Sequence, residues 1–553
     1  MIKGHFHNFF IGGIMKKFAF SILPALLLAF VSCMNMSSGS EGGSVRVVLP
    51  SSSRALYSSG HGDVDSFTVR LLLGEKIIKE ETINTETDET GGVIVFDELE
   101  PATYTVEVEG WMSSKDVLLY FGTEEAKVTA GQDSDCQVNL KKKDCQIYNI
   151  SVDARELKTA CESDGNAYIF MGADSSVSTN QATPENNCQL TNITSGTKII
   201  RGNGGKVQQS TDDNQTLTTE GGQIKLFNVS GSSTILEINN LTFTASSTVG
   251  TTSTLDGALI CVDDGATVIL KQCRMNGISM SNLGTSLIYV KSGGKLLVEN
   301  CTFYNNTSTN KGNVSFSECI RIENGAQVEV VSCNFESNGD GNLMSNAAAI
   351  ENSGSCHITN TTFKGNTANR GSAIMNNDNG ILEIEDSTFD SNTCTSNGGY
   401  YARRGGAIFI QGGSVKITDS TFTGNKAGGY NPGSEGTEAF KKLGGGAISI
   451  KSYYDSNTKE TKPSSLTLQN TRFDSNSVTS KSTDDANGYG GAVLIEQSDA
   501  NLFLKDASGA TMEIDSYIDK YMSGNTTAKT NAGANIYCNG GTINGTVYTK
   551  AWE

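Results

Sequence analysis

From residue 241 onward the chain repeats one frame, and a frame that recurs this often must be settled before any local reading. Its sharpest element is Phe-x-x-Asn, at Phe303/Asn306, Phe335/Asn338, Phe363/Asn366, Phe389/Asn392, Phe422/Asn425 and Phe473/Asn476. Met522/Asn525 is a further copy with Met in the aromatic slot. Met275 holds the aromatic slot one coil earlier, without the Asn, and two residues before the slot stands a small side chain (Cys273, Cys301, Cys333, Thr361, Ser387, Ser420, Thr471). Three before it stands a polar one (Gln272, Asn300, Ser332, Asn360, Asp386, Asp419, Asn470) and five before it an aliphatic (Leu270, Val298, Val330, Ile358, Ile384, Ile417, Leu468). The inward period is 2 within each strand and slips once at the polar residue, which is the mark of a corner between two strands.

A second element pairs a small residue with an aliphatic: Ala258-Leu259, Ser286-Leu287, Cys319-Ile320, Ala349-Ile350, Ala373-Ile374, Ala407-Ile408, Ala447-Ile448 and Ala492-Val493. The later copies read Gly-Gly-Ala-Ile/Val, from Gly405, Gly445 and Gly490, and successive spacings are 28, 33, 30, 24, 34, 40 and 45 residues. A unit of this length cannot bury its own apolar face and must stack on its neighbours. One coil per repeat, in register, puts like on like at about 4.8 Å. The predicted fold is therefore all-β, a right-handed parallel β-helix about ten coils and roughly 50 Å long. The repeated Asn is expected at a turn, where it tolerates the left-handed conformation.

The two linked motifs resemble the polymorphic outer membrane protein repeat of chlamydial-type surface autotransporters, over roughly residues 240–540. That resemblance implies display at a cell surface and contact with host ligands. Autotransporters of that family end in a membrane β-barrel, whereas here the sequence runs to Trp552-Glu553 shortly after the last coil.

The N-terminal residues read as an address. Met15-Lys16-Lys17 precedes an apolar run from Phe18 to Val31, followed by Ser32-Cys33. This resembles a bacterial lipoprotein signal over residues 1–33, which implies lipid on Cys33 and a membrane partner through that anchor. Residues 34–44 are Ser/Gly-rich and form a tether. Alternating runs over 45–142 (Val45, Val47, Leu49; Phe67, Val69, Leu71; Tyr104, Val106, Val108) predict a small β-sandwich. Its Gly92–Val106 segment resembles a carboxypeptidase-regulatory-like or prealbumin-like module. Residues 143–240 then supply a cap and the first coils, with a short helix over Asp153–Cys161.

Composition narrows the function. Of 553 residues, 42 are Lys or Arg and 60 Asp or Glu, a net charge of −18 that excludes a sequence-independent nucleic-acid partner. Cys273, Cys301 and Cys333 share one slot and read as stacked small residues, while Cys136, Cys145, Cys161 and Cys188 are the disulfide candidates of an exported protein. No spacing points to a metal site, and no cofactor motif is present. Asp390 and Asp474 follow Phe in two coils, but Tyr304, Glu336, Lys364 and Thr423 hold that position elsewhere. Arg403-Arg404 reads as an exposed basic pair. The predicted function is non-enzymatic binding of a host protein or glycan through the insertions Gly428–Leu443, Tyr453–Pro463 and Val478–Asn487. A β-helix polysaccharide lyase or hydrolase, and a purely structural envelope protein, are the alternatives.

Overall fold

The computed structural model describes residues 42–49, 64–74, 76–84, 93–112, 117–143, 145–150, 154–172, 174–178, 189–202, 214–220, 225–246, 256–280, 285–308, 318–339, 347–395, 404–428, 444–479, 488–527 and 532–553. Cys33, the expected lipidation site, most of the tether, and Cys188 lie outside these residues.

The fold is a right-handed parallel β-helix preceded by two small packed sheets. One coil shows the plan: strands Thr285–Val290, Lys295–Glu299 and Thr302–Tyr304 follow one another around the axis, and a two-residue strand Thr307–Ser308 closes the turn. Each strand pairs in parallel with its counterpart in the next coil, Ile288 on Ile320, Val298 on Val330 and Phe303 on Phe335. Three faces result, named here the Ile sheet, the aliphatic sheet and the Phe sheet. The Phe sheet has eleven strands among the described residues, close to the coil number expected from the repeats.

The predicted corner falls where the backbone turns. Gln272, Asn300, Ser332, Asn360, Asp386, Asp419 and Asn470 all take φ between 48° and 54°, the left-handed region that short polar side chains tolerate. The repeated Asn departs from expectation. The left-handed residue is the one before it (Asn305, Ser337, Gly365, Ser391, Gly424, Ser475), and the Asn itself turns inward and is buried.

Inside, like stacks on like. Phe303, Phe335, Phe363, Phe389, Phe422 and Phe473 form a column with ring centroids 4.5–5.0 Å apart and planes within 10°. Beside it runs an amide column. Asn392 Nδ2 donates to Phe363 O of the preceding coil (2.9 Å) and to Asn425 Oδ1 of the next (2.9 Å). Its own Oδ1 accepts from Asn366 Nδ2 (3.0 Å) and from the Asn366 backbone N–H (3.1 Å). The same links run from Asn306 through Asn338, Asn366, Asn392, Asn425 and Asn476 to Asn525, so each buried amide is satisfied on both sides. A third column is the small slot, where the Cys301 N–H points at Cys333 Sγ (3.4 Å) and the Thr361 N–H at Ser387 Oγ (3.1 Å). Cys, Ser and Thr share this slot because each offers one acceptor upward and one donor to its own strand.

The Gly-Gly of the second motif has two separate causes. Gly405, Gly445 and Gly490 take φ of 66–69°, while a Cβ on Gly406 would sit 1.8 Å from Gly446 O and one on Gly446 1.9 Å from Gly491 O. The first glycine makes the turn and the second lets neighbouring coils close.

Both ends are finished differently from the middle. Strand Gln146–Ile150 pairs in parallel with Ala167–Met171, so the stack begins at Gln146, ahead of the cap helix. Helix Ala154–Cys161 follows, with Leu157, Ala160 and Cys161 in the core, as expected of the cap; Asp153 lies outside the described residues. At the far end, strand Ile536–Ile543 bends round a corner, pairing first with the Ile sheet and then with the aliphatic sheet. Strand Thr546–Trp552 then runs back antiparallel along it. A second helix, Ile514–Tyr521, was not expected, although Ile514, Tyr517, Ile518 and Tyr521 carry a helical spacing and are the residues it buries.

Ahead of the stack, sheet Val93–Leu99, Gly43–Val48, Asp133–Gln137 faces a five-stranded antiparallel sheet built on Ser66–Leu73 and Thr103–Met112. Val45, Val47 and Phe96 from one and Phe67, Val69, Val106 and Val108 from the other share a buried core.

Cys136, Cys145 and Cys161 are free thiols, against the disulfide expectation. Cys136 faces the sandwich core and Cys161 the solenoid core, so two of the three candidates sit in different interiors. Cys273, Cys301 and Cys333 are free as well, as the stacking reading requires. Burial pushes the Cys136 and Cys538 thiols up to about 11, and it pushes those of Cys161, Cys301, Cys319 and Cys356 further still. With no thiolate to react, these last four should resist iodoacetamide at about pH 8 in the folded chain and be labelled once urea unfolds it, as read by mass spectrometry.

Candidate functional site

Strand alternation assigns one row of each Ile-sheet strand to the outside: Cys261, Tyr289, Arg321, Glu351, Met375, Phe409, Ser449, Leu494 and Tyr537, paired coil to coil. Most of this row is nevertheless buried, including Tyr289, Glu351, Phe409 and Ser449. By contrast, the position after Phe on the Phe sheet is open enough to leave Tyr304 at 39% exposure. The covered flank of the Ile sheet is where polar side chains are gathered out of solvent.

Two charged groups lie along it, separated by an apolar cluster of Ala347, Met375 and Phe409. In the first, the Tyr289 hydroxyl donates to Glu323, whose other oxygen accepts the Ser292 N–H at 3.0 Å. Burial, and then that carboxylate, push the Tyr289 phenol well above its ordinary value. The Arg321 guanidinium lies 5.5 Å from the Tyr289 ring and its Nε 3.9 Å from fully buried Glu318. Asn377 Nδ2 donates to Glu351 at 3.0 Å and to Ser353 at 3.0 Å.

In the second group, Arg404 Nε points between both oxygens of Glu496, 2.7 Å from each, and Ser449 Oγ donates to Glu496 at 2.6 Å. The Arg404 guanidinium also lies 5.6 Å from the Phe409 ring. This overturns the exposed reading of the basic pair: Arg404 is 8% exposed, and Arg403 lies outside the described residues. Lys451 stands in the neighbouring row, its ammonium disfavoured first by burial and then by Arg404. Glycoside hydrolysis needs two carboxyl groups poised across a substrate. Here Glu496 is hydrogen-bonded by Arg404 and Ser449, and Glu323 by Tyr289 and a backbone N–H.

Beyond the flank, the predicted insertion Tyr453–Pro463 is a hairpin outside the coil. Strands Tyr453–Asp455 and Glu460–Lys462 pair antiparallel around a turn in which Asp455 Oδ1 accepts the Asn457 N–H at 2.8 Å. That bond holds the Asp455 carboxyl below its usual range. Lys462 Nζ reaches back to Asp378 Oδ2 at 2.8 Å and lies 5.8 Å from the Tyr453 ring, which pins the hairpin to an earlier coil. Tyr454 at its tip side is 56% exposed. Nearly all of the other two insertions, Gly428–Leu443 and Val478–Asn487, lies outside the described residues. The site residues read from the repeats (Phe303, Asn306, Phe335, Asn338, Phe363, Asn366, Phe389, Asn392, Phe422, Asn425, Phe473, Asn476 and Asn525) are brought together as the two interior columns, not as a surface. Among the described residues no group of His, Cys, Asp and Glu has the geometry of a metal site, and no helix is long and apolar enough to cross a membrane.

Among known proteins, the family described as right handed beta helix region matches residues 225–441. No curated protein matches the chain. A solved structure, the catalytic domain of a GH87 alpha-1,3-glucanase in complex with nigerose, is similar over 87% of this chain and 88% of that one, at 10% identity and a TM-score of 0.30. Likeness at that level carries no argument about activity. The chain therefore contains a right-handed β-helix region whose coils hold their polar groups on one covered flank.

Proposed function

We propose that the chain is a non-enzymatic, lipid-anchored envelope protein that binds a host protein or glycan through loops projecting from its β-helix. The observation that carries this reading is the hairpin Tyr453–Lys462. It adds nothing to the coil ladder, yet it is held in a fixed pose by Lys462 and Asp378 and offers Tyr454 to solvent. A preorganised, exposed aromatic is what a contact surface needs, because little side-chain freedom is lost when a partner docks. The likeness of the repeats to the polymorphic outer membrane protein repeat supports surface display and adhesion. The Ser32-Cys33 step after an apolar run supports anchoring by lipid.

Replacing Tyr453–Lys462 by a short Gly linker should lower adhesion of displaying cells to host cells or matrix, while the far-UV circular dichroism of the purified chain stays the same. Cys33→Ala should abolish labelling with radioactive palmitate and move the protein out of the membrane fraction. Unchanged adhesion together with release of reducing ends from a polysaccharide panel would overturn the binding reading in favour of a hydrolase.

A further inference from the structure

Among the described residues, the first strand to receive a pull from the N-terminal side is Gly43–Val48. It is the central strand of its sheet, antiparallel to Val93–Leu99 on one side and parallel to Asp133–Gln137 on the other. The parallel partner is the last strand of its sheet before the coils; only the two-residue edge strand Lys141–Lys142, paired with Tyr120 and Phe121 of the other sheet, lies between it and the stack. From Gln137 the chain continues through Lys141–Lys142 into Gln146–Ile150, the first strand of the stack. Ser44 pairs with Asp133 and Val48 with Gln137, so the two strands start and finish together.

That register decides how force would act. A pull that holds the start of Gly43–Val48 and draws on the end of Asp133–Gln137 slides one strand along the other. Ladder hydrogen bonds run across the strands, so sliding loads all of them at once, whereas pulling two adjacent ends apart opens them one after another. The upstream end is fastened further: Ser44 Oγ donates to Asp133 Oδ1 at 2.6 Å, the Ser44 N–H to Gln132 O at 3.1 Å and the Gly131 N–H to Gly42 O at 3.3 Å. Val45 and Val47 anchor the same strand in the sandwich core with no exposed surface.

We propose that the sandwich is a mechanical clamp, built so that tension between an N-terminal anchor and a ligand held on the coils is borne in shear by Gly43–Val48. This rests on the anchoring and binding reading for its setting, but the geometry can be tested without it.

The full chain should be stretched in single-molecule force spectroscopy between residue 34 and residue 553, and separately between residue 34 and a handle inserted at Ala130, an exposed position ahead of Asp133–Gln137. The sandwich is recognised in the first geometry by its length gain, about 350 Å for roughly 100 residues at full extension. Forced rupture reports the unfolding barrier along the direction pulled. The handle-bearing chain is also stretched between residues 34 and 553, and the same gain there shows that the insertion leaves the sandwich folded. The expected result is a rupture force severalfold higher when the strands are pulled at opposite ends than when they are pulled at the same end. Equal forces in the two geometries would overturn the clamp. The anchoring reading fails on a different result, retention of the Cys33→Ala chain in membranes.

Discussion

Asn392→Ala should lower the stability of the coil stack by about 3 kcal/mol, out of proportion to the three heavy atoms removed. The buried side chain makes four hydrogen bonds, all to neighbouring coils. Its loss takes the acceptor from the Asn366 N–H, one of two acceptors from Asn366 Nδ2, one donor from Phe363 O and one from Asn425 Oδ1. Each buried group left short costs about 1–3 kcal/mol when it has nowhere else to turn. Urea unfolding monitored by circular dichroism measures the effect, with Thr393→Ala as the neighbouring control expected to change little. Asn392→Asp separates the two halves of the amide. It keeps an acceptor for Asn366 but sets a second oxygen against Phe363 O and Asn425 Oδ1. An ionised carboxyl there is disfavoured, so its folded pKa lies above the unfolded value of about 3.9. The folded state then holds its proton more tightly, and the variant should lose stability as pH rises from about 4 toward 7, the opposite of an ordinary salt-bridged aspartate. A loss below about 1 kcal/mol for Asn392→Ala would mean that water reaches the column.

The second large effect concerns the buried pair on the covered flank. Glu496→Leu should cost about 3–5 kcal/mol, because it strands the Arg404 guanidinium at 8% exposure and removes the acceptor of Ser449 Oγ. Arg404→Met combined with Glu496→Leu should recover most of that loss, since an apolar pair of similar volume meets Phe409 without a charge to desolvate. A double-mutant cycle read by urea unfolding at fixed pH tests both statements. A single-variant loss of under about 1 kcal/mol would place the pair in a solvated setting, where ion pairs contribute little. The two residues are 92 positions apart and bridge two coil spacings, so their coupling also reports whether those coils unfold together.

The slots of the fold were legible because in-register parallel stacking gives every coil the same set of environments. A Phe must suit a Phe above and below it, and the sequence repeats accordingly. The small slot and the polar corner could be located from residue type alone. The stacking of Asn on Asn was legible too; the left-handed turn conformation expected of that Asn belongs instead to the residue before it, and the amide turns inward. The Arg404–Glu496 pair was invisible: its members occupy unrelated positions of the frame, and Arg404 next to Arg403 has the look of a solvated tip. Helix Ile514–Tyr521 is written in the spacing of Ile514, Tyr517, Ile518 and Tyr521, but one short helical period set among strand repeats stands out little from their alternation. The shear pairing of Gly43–Val48 with Asp133–Gln137 joins strands about 90 residues apart, and alternation says which face is buried but not which strand lies beside which.

The amide column also quantises the chain's own variation. Asn366 and Asn392 are 26 residues apart and Asn425 and Asn476 are 51 apart, yet the two links have the same geometry, 3.0 and 2.9 Å. Loop length between rungs is thus free, while a rung cannot be half removed without orphaning its neighbours. Descendants of this sequence can lengthen or trim their loops residue by residue, but they can change the height of the stack only by whole turns.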